Sequence, residues 1–318
     1  MTIKSVTADE LDRYLARRRP NLLLPPGGAA GWRKCAASPW GRPLAAKVIA
    51  DAGRVLKFPP LERALTGRRL LDVSRSALYR MTTLGAAWGL TGEDKYAKRA
   101  LAEIANVCAF SDWNPSHFLD AAEMALAVAL GYDRFFALLD AAARGQIIQA
   151  LVEKALLPSL SPYQWWVTGN NNWTQVCHAG MVAAALVVAD RFPAFALPFV
   201  NRALDNVPPV MRHSYGANGA YPEGTMYWGY GTSFNIVLIA LLESAFGRDC
   251  GLSTVRGFDR TAAFMAAATG TSGQMFCHSD SVAEPMPSFP QLWLAARFGA
   301  QAALAPAAVA ALRRFLAA

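Results

Sequence analysis

The stretch HFLDAAEMALAVALGYDRFF, residues 117–136, is apolar on nearly every face of a helix. Such a helix has no face suited to water, so the pattern predicts a helix that is buried all round. Residues 179–190, AGMVAAALVVAD, have the same character. By contrast, residues 94–108 carry Lys95, Lys98 and Glu103 on one side, which predicts a helix with one solvent-exposed face. Two kinds of helix predict two layers, an inner ring of buried helices and an outer ring that faces solvent.

The same pattern extends in both directions along the chain. Alternating runs of Val, Ile and Thr between tight turns, which are typical of strands, are scarce. Helical segments are predicted at residues 8–18, 43–54, 71–90, 94–108, 117–138, 141–156, 172–190, 194–205, 231–247, 257–269, 289–300 and 306–317. The sequence therefore predicts an all-α protein.

The breaks between these segments predict helical hairpins. Gly92 ends one helix, and Glu93 and Asp94 place negative charge at the start of the next. Asp140 is predicted to cap the helix that follows it. Hairpins that stack side by side and curve into a ring form an α/α toroid, an incomplete barrel of helical hairpins. A helical solenoid is the alternative, but no fixed-period repeat supports it.

Length and composition favour one large core. The chain has 318 residues, 53% of them hydrophobic, and no linker rich in Pro, Gly or Ser divides it. We expect residues 1–318 to form a single toroid domain, with residues 1–60 as a helical arm packed on it.

The charge of the chain limits its partners. A formal net charge of +8 favours anionic partners. The basic residues are scattered and no nucleic-acid motif is present, so we expect no nucleic acid. The longest apolar run, residues 179–189, is short of the roughly 20 residues that a membrane span requires, so we expect no membrane either. The polar N-terminus lacks the features of a secretion signal, which predicts a cytoplasmic protein.

Two stretches combine aromatic side chains with amides and glycines, the pattern expected of a sugar site. YQWWVTGNNNWTQVCHAGM covers residues 163–181, and RHSYGANGAYPEGTMYWGYGTSFN covers residues 212–235. Flat aromatic rings cover the apolar face of a pyranose, while amides and hydroxyls bond its rim.

At these stretches the chain resembles the helical toroid domain of the heparinase II/III-like polysaccharide lyases, which include alginate-lyase-like members. Four segments follow in the family's order: residues 74–104 (SRSALYRMTTLGAAWGLTGEDKYAKRALAEI), 117–136, 171–181 (NNWTQVCHAGM) and 221–235 (YPEGTMYWGYGTSFN). The resemblance implies cleavage of an acidic, uronate-containing polysaccharide by β-elimination, without a cofactor or a metal.

The resemblance also implies residue roles. An enzyme of this kind neutralises the uronate carboxylate with positioned donors, because the intermediate carbanion forms beside that charge. By similarity, Asn172 or Asn171 is that donor and Tyr227 moves protons between the sugar carbon and the leaving oxygen. Because a phenol is a weak base at neutral pH, a cation from Arg212, His213 or His278 is expected beside it. The implied catalytic set is Tyr227, Asn172, His278 and Glu223, and the implied substrate-binding set is Asn171, Trp173, Arg212, His213, Tyr221, Trp228, Tyr230 and Trp166.

The sequence departs from the family's pattern in two places. Trp173 stands where members commonly have a histidine after the two asparagines. The family's C-terminal β-sandwich, which lends a further histidine to the cleft, has no β-rich counterpart in residues 1–318. Three alternatives follow: His278 replaces that histidine, a partner chain supplies the sandwich, or the chain is a truncated relative without the lyase activity. Members of the family generally work in the periplasm or outside the cell, in contrast to the cytoplasmic location that the N-terminus predicts.

Other interpretations of the same residues remain open. The asparagines could merely cap a helix, and His117 has the position of a capping or surface residue. Asp120 and Glu123 either pair with arginines such as Arg75 or Arg80, or face the cleft as acids. Glu223 with Asp120, Glu123 or Asp280 would instead form the pair of a glycoside hydrolase. A non-catalytic glycan-binding domain is the third alternative. His178 is expected to be a core histidine.

Overall fold

Helices form nearly all of the regular structure in the computed structural model, which describes residues 3–17, 21–23, 28–284, 289–299 and 306–317. Two isolated β-bridges and no strand occur in these ranges. The α-helices are α1 (Ala8–Leu15), α2 (Gly28–Ala36), α3 (Gly41–Val55), α4 (Leu71–Thr91), α5 (Asp94–Cys108), α6 (Phe118–Arg134), α7 (Ala141–Leu151), α8 (Asn172–Val188), α9 (Pro193–Tyr215), α10 (Gly224–Phe246), α11 (Thr261–Ala267), α12 (Phe289–Phe298) and α13 (Pro306–Ala317).

The helices form the two predicted layers. The inner layer consists of α4, α6, α8, α10 and α12, each packed against the next, and α6 and α8 are buried along nearly their whole length. The outer layer includes α5 against α4, α7 against α6, and α9 against α8. This is an all-α, toroid-like fold, as the sequence predicts.

The helix ends within the hairpins have the capping interactions that the sequence predicts. Gly92 ends α4 in the left-handed conformation, with φ of 73°, and its N–H bonds the carbonyl of Trp88. The Asp140 side chain accepts a hydrogen bond of 2.7 Å from the N–H of Ala143 and so caps α7. Both predicted helix boundaries are confirmed.

The inner helices α6 and α8 approach each other closely at a glycine. A Cβ atom on Gly180 would lie 2.3 Å from the carbonyl oxygen of Ala122, a distance that real Cβ atoms do not adopt. Only glycine therefore allows the two helix backbones to pack this tightly.

Residues before α4 pack on the rest of the toroid. Helix α1 contacts α9 and α10, whereas α2 and α3 contact α4. The Arg17 guanidinium donates to the carbonyl of Ser244 near the end of α10, and the Tyr14 hydroxyl donates to the carbonyl of Leu186 near the end of α8. This N-terminal segment thus lies against the C-terminal ends of inner helices. The apolar core runs without a break from Val6 to Leu294.

Two helices extend beyond their predicted limits. α9 continues to Tyr215 although prolines 198, 208 and 209 lie within it. The burial of its inner face against α8 outweighs the cost of these residues. α10 begins at Gly224 instead of residue 231, so that Tyr227 and Tyr230 lie on its first turns and not in a loop.

One described helix, α10, is long and apolar enough to cross a membrane by length and composition. Half of the relevant window is buried, and α10 packs on α8, α12 and α1 as part of the core. A core helix meets the same criteria, so this property adds no argument for a membrane.

Candidate active site

A cavity of about 630 Å³ opens at the N-terminal ends of the inner helices. Because inner and outer helices alternate along the chain, the inner helices run in one direction and their first turns meet at one face. The walls of the cavity come from the starts of α4, α6, α8, α10 and α12, and from residues of the segment 265–284. The lining residues that carry chemistry are Arg69, Arg75, His117, Trp173, Tyr227, Tyr230, Ser233 and Glu284.

The electrostatics of this cavity favour an anion. Each helix N-terminus carries a partial positive charge from its unpaired backbone N–H groups, and five such termini surround the cavity. Arg69 and Arg75 add two full positive charges. Among the described lining residues the only carboxylate is Glu284, which is exposed in the segment after α11. A hydrolase requires a pair of carboxyl groups facing the substrate, and the described lining does not provide one.

Two buried contacts fix neighbouring helix starts to each other. The Asp120 carboxylate on α6 accepts a hydrogen bond of 2.6 Å from the N–H of Leu70, which precedes α4. The Glu223 carboxylate before α10 accepts bonds from the backbone N–H and the side-chain amide of Asn172, at 3.0 and 2.7 Å. The first turns of these helices are therefore held in a fixed arrangement around the cavity.

The predicted donor Asn172 serves this internal contact. Its side chain is 2% exposed and its amide donates to Glu223, and neither residue lines the cavity. Asn171 caps α8, because its side-chain oxygen accepts from the N–H of Trp173. Asn171, Asn172 and Glu223 therefore lie outside the cavity lining, in contacts that hold its walls, and their contact with substrate stays a prediction.

Tyr227 lies on the first turns of α10 and lines the cavity, half-buried. Within the described residues no other group bonds its hydroxyl. The phenol is therefore available to a ligand in the cavity.

The Tyr230 side chain is hydrogen-bonded within a buried cluster at the cavity wall. Its hydroxyl donates to the Glu123 carboxylate, and Arg75 Nε lies 3.4 Å from the same oxygen. The Arg75 guanidinium also lies 5.1 Å from the centre of the Tyr230 ring. Burial raises the pKa of Glu123, although Tyr230 and Arg75 oppose this shift, and burial likewise raises the pKa of Tyr230. Tyr230 and Glu123 therefore hold Arg75, whose side chain is 51% exposed, at the cavity.

His117 is a cavity residue that the sequence interpretation missed. Its Nδ1 lies 2.7 Å from Oδ1 of Asp120, and its ring packs edge-on against Trp173 with the ring centres 4.7 Å apart. The i, i+3 spacing of His117 and Asp120 at the start of a buried helix was the available signal. The sequence does not show that this pair faces a cavity, because that depends on the position of α8.

Three aromatic residues assigned to substrate binding lie in the core. Trp166, Tyr221 and Trp228 are each at most 1% exposed, and none lines the cavity. Tyr221 donates to the side chain of Gln175 at 2.9 Å, and Trp228 donates to the hydroxyl of Thr261 at 2.7 Å. Their polar atoms are satisfied internally, so in this structure the three rings pack in the core and not at the cavity where they were expected.

The three predicted cations also lie off the cavity lining. Arg212 and His213 are exposed in the last turn of α9. His278 packs between the rings of Phe264 and Phe276, with its Nδ1 buried and without a partner in the described part of the chain. The cations at the cavity are Arg69 and Arg75 instead.

The His278 segment nevertheless touches the start of α10. Gly224 has φ of +86°, and a Cβ atom there would lie 2.5 Å from the carbonyl oxygen of His278. The turn at residues 278–281 is therefore placed directly over the helix that carries Tyr227. Among the described residues, no three His, Cys, Asp or Glu side chains form a group that could hold a metal ion.

Comparison with known proteins supports the fold. No protein-family model and no curated protein matches the chain. Among solved structures, the chain is similar to an alginate lyase from Bacteroides ovatus, with 15% sequence identity and a TM-score of 0.52. The similarity covers 80% of this chain and 84% of that protein. At this identity the likeness establishes an alginate-lyase-like, all-helical fold.

Proposed function

We propose that this protein is a polysaccharide lyase that cleaves an acidic, uronate-containing glycan by β-elimination. The observation that carries the proposal is the Tyr227 phenol, which has no partner among the described residues and lines a cavity surrounded by helix N-termini and two arginines. The fold shared with an alginate lyase is consistent with it.

The chemistry matches the groups available. Removal of the proton at C5 of a uronate leaves negative charge beside the carboxylate, and this charge must be stabilised in the transition state. Arg69 and Arg75, with the helix N-termini, would bind that carboxylate. The half-buried ring of Trp173 would cover the apolar face of the sugar. A base at the cavity takes the C5 proton, and the electrons of the C5–H bond form the C4=C5 double bond. As the C4–O bond breaks with its electron pair on oxygen, the Tyr227 phenol gives its proton to that oxygen, so Tyr227 acts here as the proton donor alone.

The supporting residues have an indirect role in this scheme. Asn172 and Glu223 join the start of α8, which carries Trp173, to the start of α10, which carries Tyr227. Their contact keeps the Trp173 ring, which would cover the sugar, and the Tyr227 phenol, which would donate the proton, at a constant separation.

Incubation of the protein with alginate, heparan and chondroitin tests the proposal. We expect ultraviolet absorbance from an unsaturated uronate product on at least one polymer. Tyr227→Phe should lower kcat by about 10²- to 10⁴-fold, because it removes the proton donor alone. Tyr163→Phe is the matched control, since that side chain is 88% exposed and does not line the cavity.

Three outcomes would contradict the proposal. Folded protein that yields no unsaturated product from any uronate polymer would exclude the lyase activity. New reducing ends without the absorbing double bond would indicate a hydrolase. Saturable binding without turnover would indicate a non-catalytic glycan-binding domain.

A further inference from the structure

We propose that His117 is a further catalytic residue, the base that removes the C5 proton, and that Asp120 positions it. This inference rests on the proposed lyase activity and assigns a second group to that reaction.

The hydrogen bonds of Asp120 determine which nitrogen of His117 is available. Oδ2 of Asp120 accepts from the N–H of Leu70 and from the Asn114 side-chain amide, at 2.6 and 2.7 Å. Oδ1 faces only Nδ1 of His117, at 2.7 Å. Since the carboxylate is an acceptor in both of the other bonds, Nδ1 of His117 carries a proton and donates it to Oδ1. The lone pair of neutral His117 is then on Nε2.

Nε2 has no partner in the described part of the chain, and His117 lines the cavity. The ring is held from two sides, by Asp120 through Nδ1 and by the edge of Trp173. A histidine whose Nδ1–H is bonded to a buried carboxylate has a fixed orientation and a fixed tautomer, which is the arrangement of a general base.

A purely structural role explains these contacts less well. His117 occupies the N-cap position of α6, but its side chain makes no capping hydrogen bond to that helix. The buried histidine His178 differs, because its Nε2 donates to the carbonyl of Val167 and it does not line the cavity. His117 is therefore the histidine whose free nitrogen is directed to the site.

The two residues divide the reaction between them. The Nε2 lone pair of His117 takes the C5 proton, and the electrons of that C–H bond form the C4=C5 double bond. The C4–O bond breaks with its electron pair on oxygen, and the Tyr227 hydroxyl protonates that oxygen. Exchange with solvent returns a proton to Tyr227 and removes one from His117, so the cycle closes without a cofactor.

The first test is His117→Gln, compared with Ser116→Ala at the exposed neighbouring position. We expect His117→Gln to lower kcat on the uronate polymer by about 10²- to 10⁴-fold with KM changed less than threefold, whereas Ser116→Ala keeps wild-type kinetics. Thermal unfolding of both variants within a few degrees of wild type would show that the fold is retained. If His117→Gln keeps kcat within threefold of wild type, the assignment of His117 is overturned while the lyase function stands.

A second test varies the leaving group and compares Tyr227→Phe with His117→Gln. On a uronide that carries a 4-nitrophenoxy group at C4, 4-nitrophenolate is stable enough to leave without a proton donor. Tyr227→Phe should therefore release nitrophenolate at a rate within tenfold of wild type, and His117→Gln should not. The reverse result would make Tyr227 the base and reject His117. If wild type yields no unsaturated product from any uronate, the proposed function fails and the assignment of His117 fails with it.

Discussion

His178 and His117 lie in one aromatic region but in opposite environments. His178 is fully buried, packs edge-on against Trp166, and donates through Nε2 to the carbonyl of Val167. Burial lowers its pKa to about 3, because a charged imidazole there would lose its hydration without gaining a carboxylate partner. His117 has such a partner in Asp120, and it lines the cavity. The same residue type thus serves as a core group in α8 and as a candidate base at the start of α6.

The buried histidine makes stability depend on pH. The pKa of His178 is about 3 in the folded protein and close to 6.5 in the unfolded chain. Between these values the unfolded state binds the extra proton, so the free energy of unfolding falls as pH decreases from 6.5 toward 3. Urea denaturation across this range should show a shallower fall for His178→Gln than for wild type. Equal slopes in the two proteins would mean that His178 does not carry this dependence.

Neighbouring residues show why the sequence could not identify the aromatic residues that line the cavity. Trp165 is 53% exposed, and its ring contacts Trp173, whereas the adjacent Trp166 is completely buried. The two tryptophans are adjacent and therefore have nearly the same sequence neighbours. The geometry of a short 3-10 turn determines which of the two rings faces inward. Residue type predicted an aromatic site in this region, but it did not predict which rings line the cavity.

At the scale of elements, the inner helices depend on close packing that overrides helix propensity. Gly180 in α8 lies against the backbone of α6 at Ala122. Alanine is the better helix former, by about 1 kcal/mol, but its methyl group has no space there.

A pair of Gly→Ala variants tests this balance. Gly180→Ala should lower the free energy of unfolding by about 1–3 kcal/mol, because the added Cβ would lie 2.3 Å from the carbonyl oxygen of Ala122. Gly53→Ala in α3 has nothing within 4 Å of the new Cβ and should raise the same quantity by about 0.5–1 kcal/mol. Urea denaturation measures both. A rise in the free energy of unfolding for both variants would show that propensity, not packing, governs α8.

Helix boundaries set by local chemistry were predictable, and those set by distant contacts were not. Gly92 and Asp140 cap helices through hydrogen bonds to residues three or four positions away. The sequence alone therefore locates the C-terminal end of α4 and the start of α7. The start of α10 depends on Glu223, whose carboxylate bonds Asn172 on another helix, and on the turn at 278–281. These contacts join residues about fifty positions apart, and nothing in the local pattern marks them.

For the molecule as a whole, the arrangement of helices concentrates positive potential at one face. The inner helix N-termini meet there, Arg69 and Arg75 line the same cavity, and the chain carries a net charge of +8. The resemblance and the composition both predicted an anionic ligand. The predicted cations do not line this cavity, because a surface residue near a motif in sequence, such as Arg212, need not be near it in space.

This arrangement predicts salt-sensitive binding of an acidic glycan. The affinity of Tyr227→Phe protein for a uronate oligosaccharide, measured by calorimetry, should fall as sodium chloride increases. Adding Arg69→Gln should weaken binding by about two- to fivefold at low salt and reduce the salt dependence. Lys98→Gln, an exposed position on α5 away from the cavity, serves as the control. Salt-independent affinity would argue against an electrostatic contribution from this face.

The N-terminal segment has a consequence for the order of folding. Tyr14 bonds a carbonyl 172 positions later in the chain, and Arg17 bonds one 227 positions later. The segment is synthesised before the helices that it contacts, so its binding surface is incomplete until α10 has been synthesised. At about 5–20 residues per second, that delay is roughly 10–50 seconds. Helix α1 therefore cannot complete these contacts until α10 is present, and we expect the C-terminal ends of α8 and α10 to lack this cover during that interval.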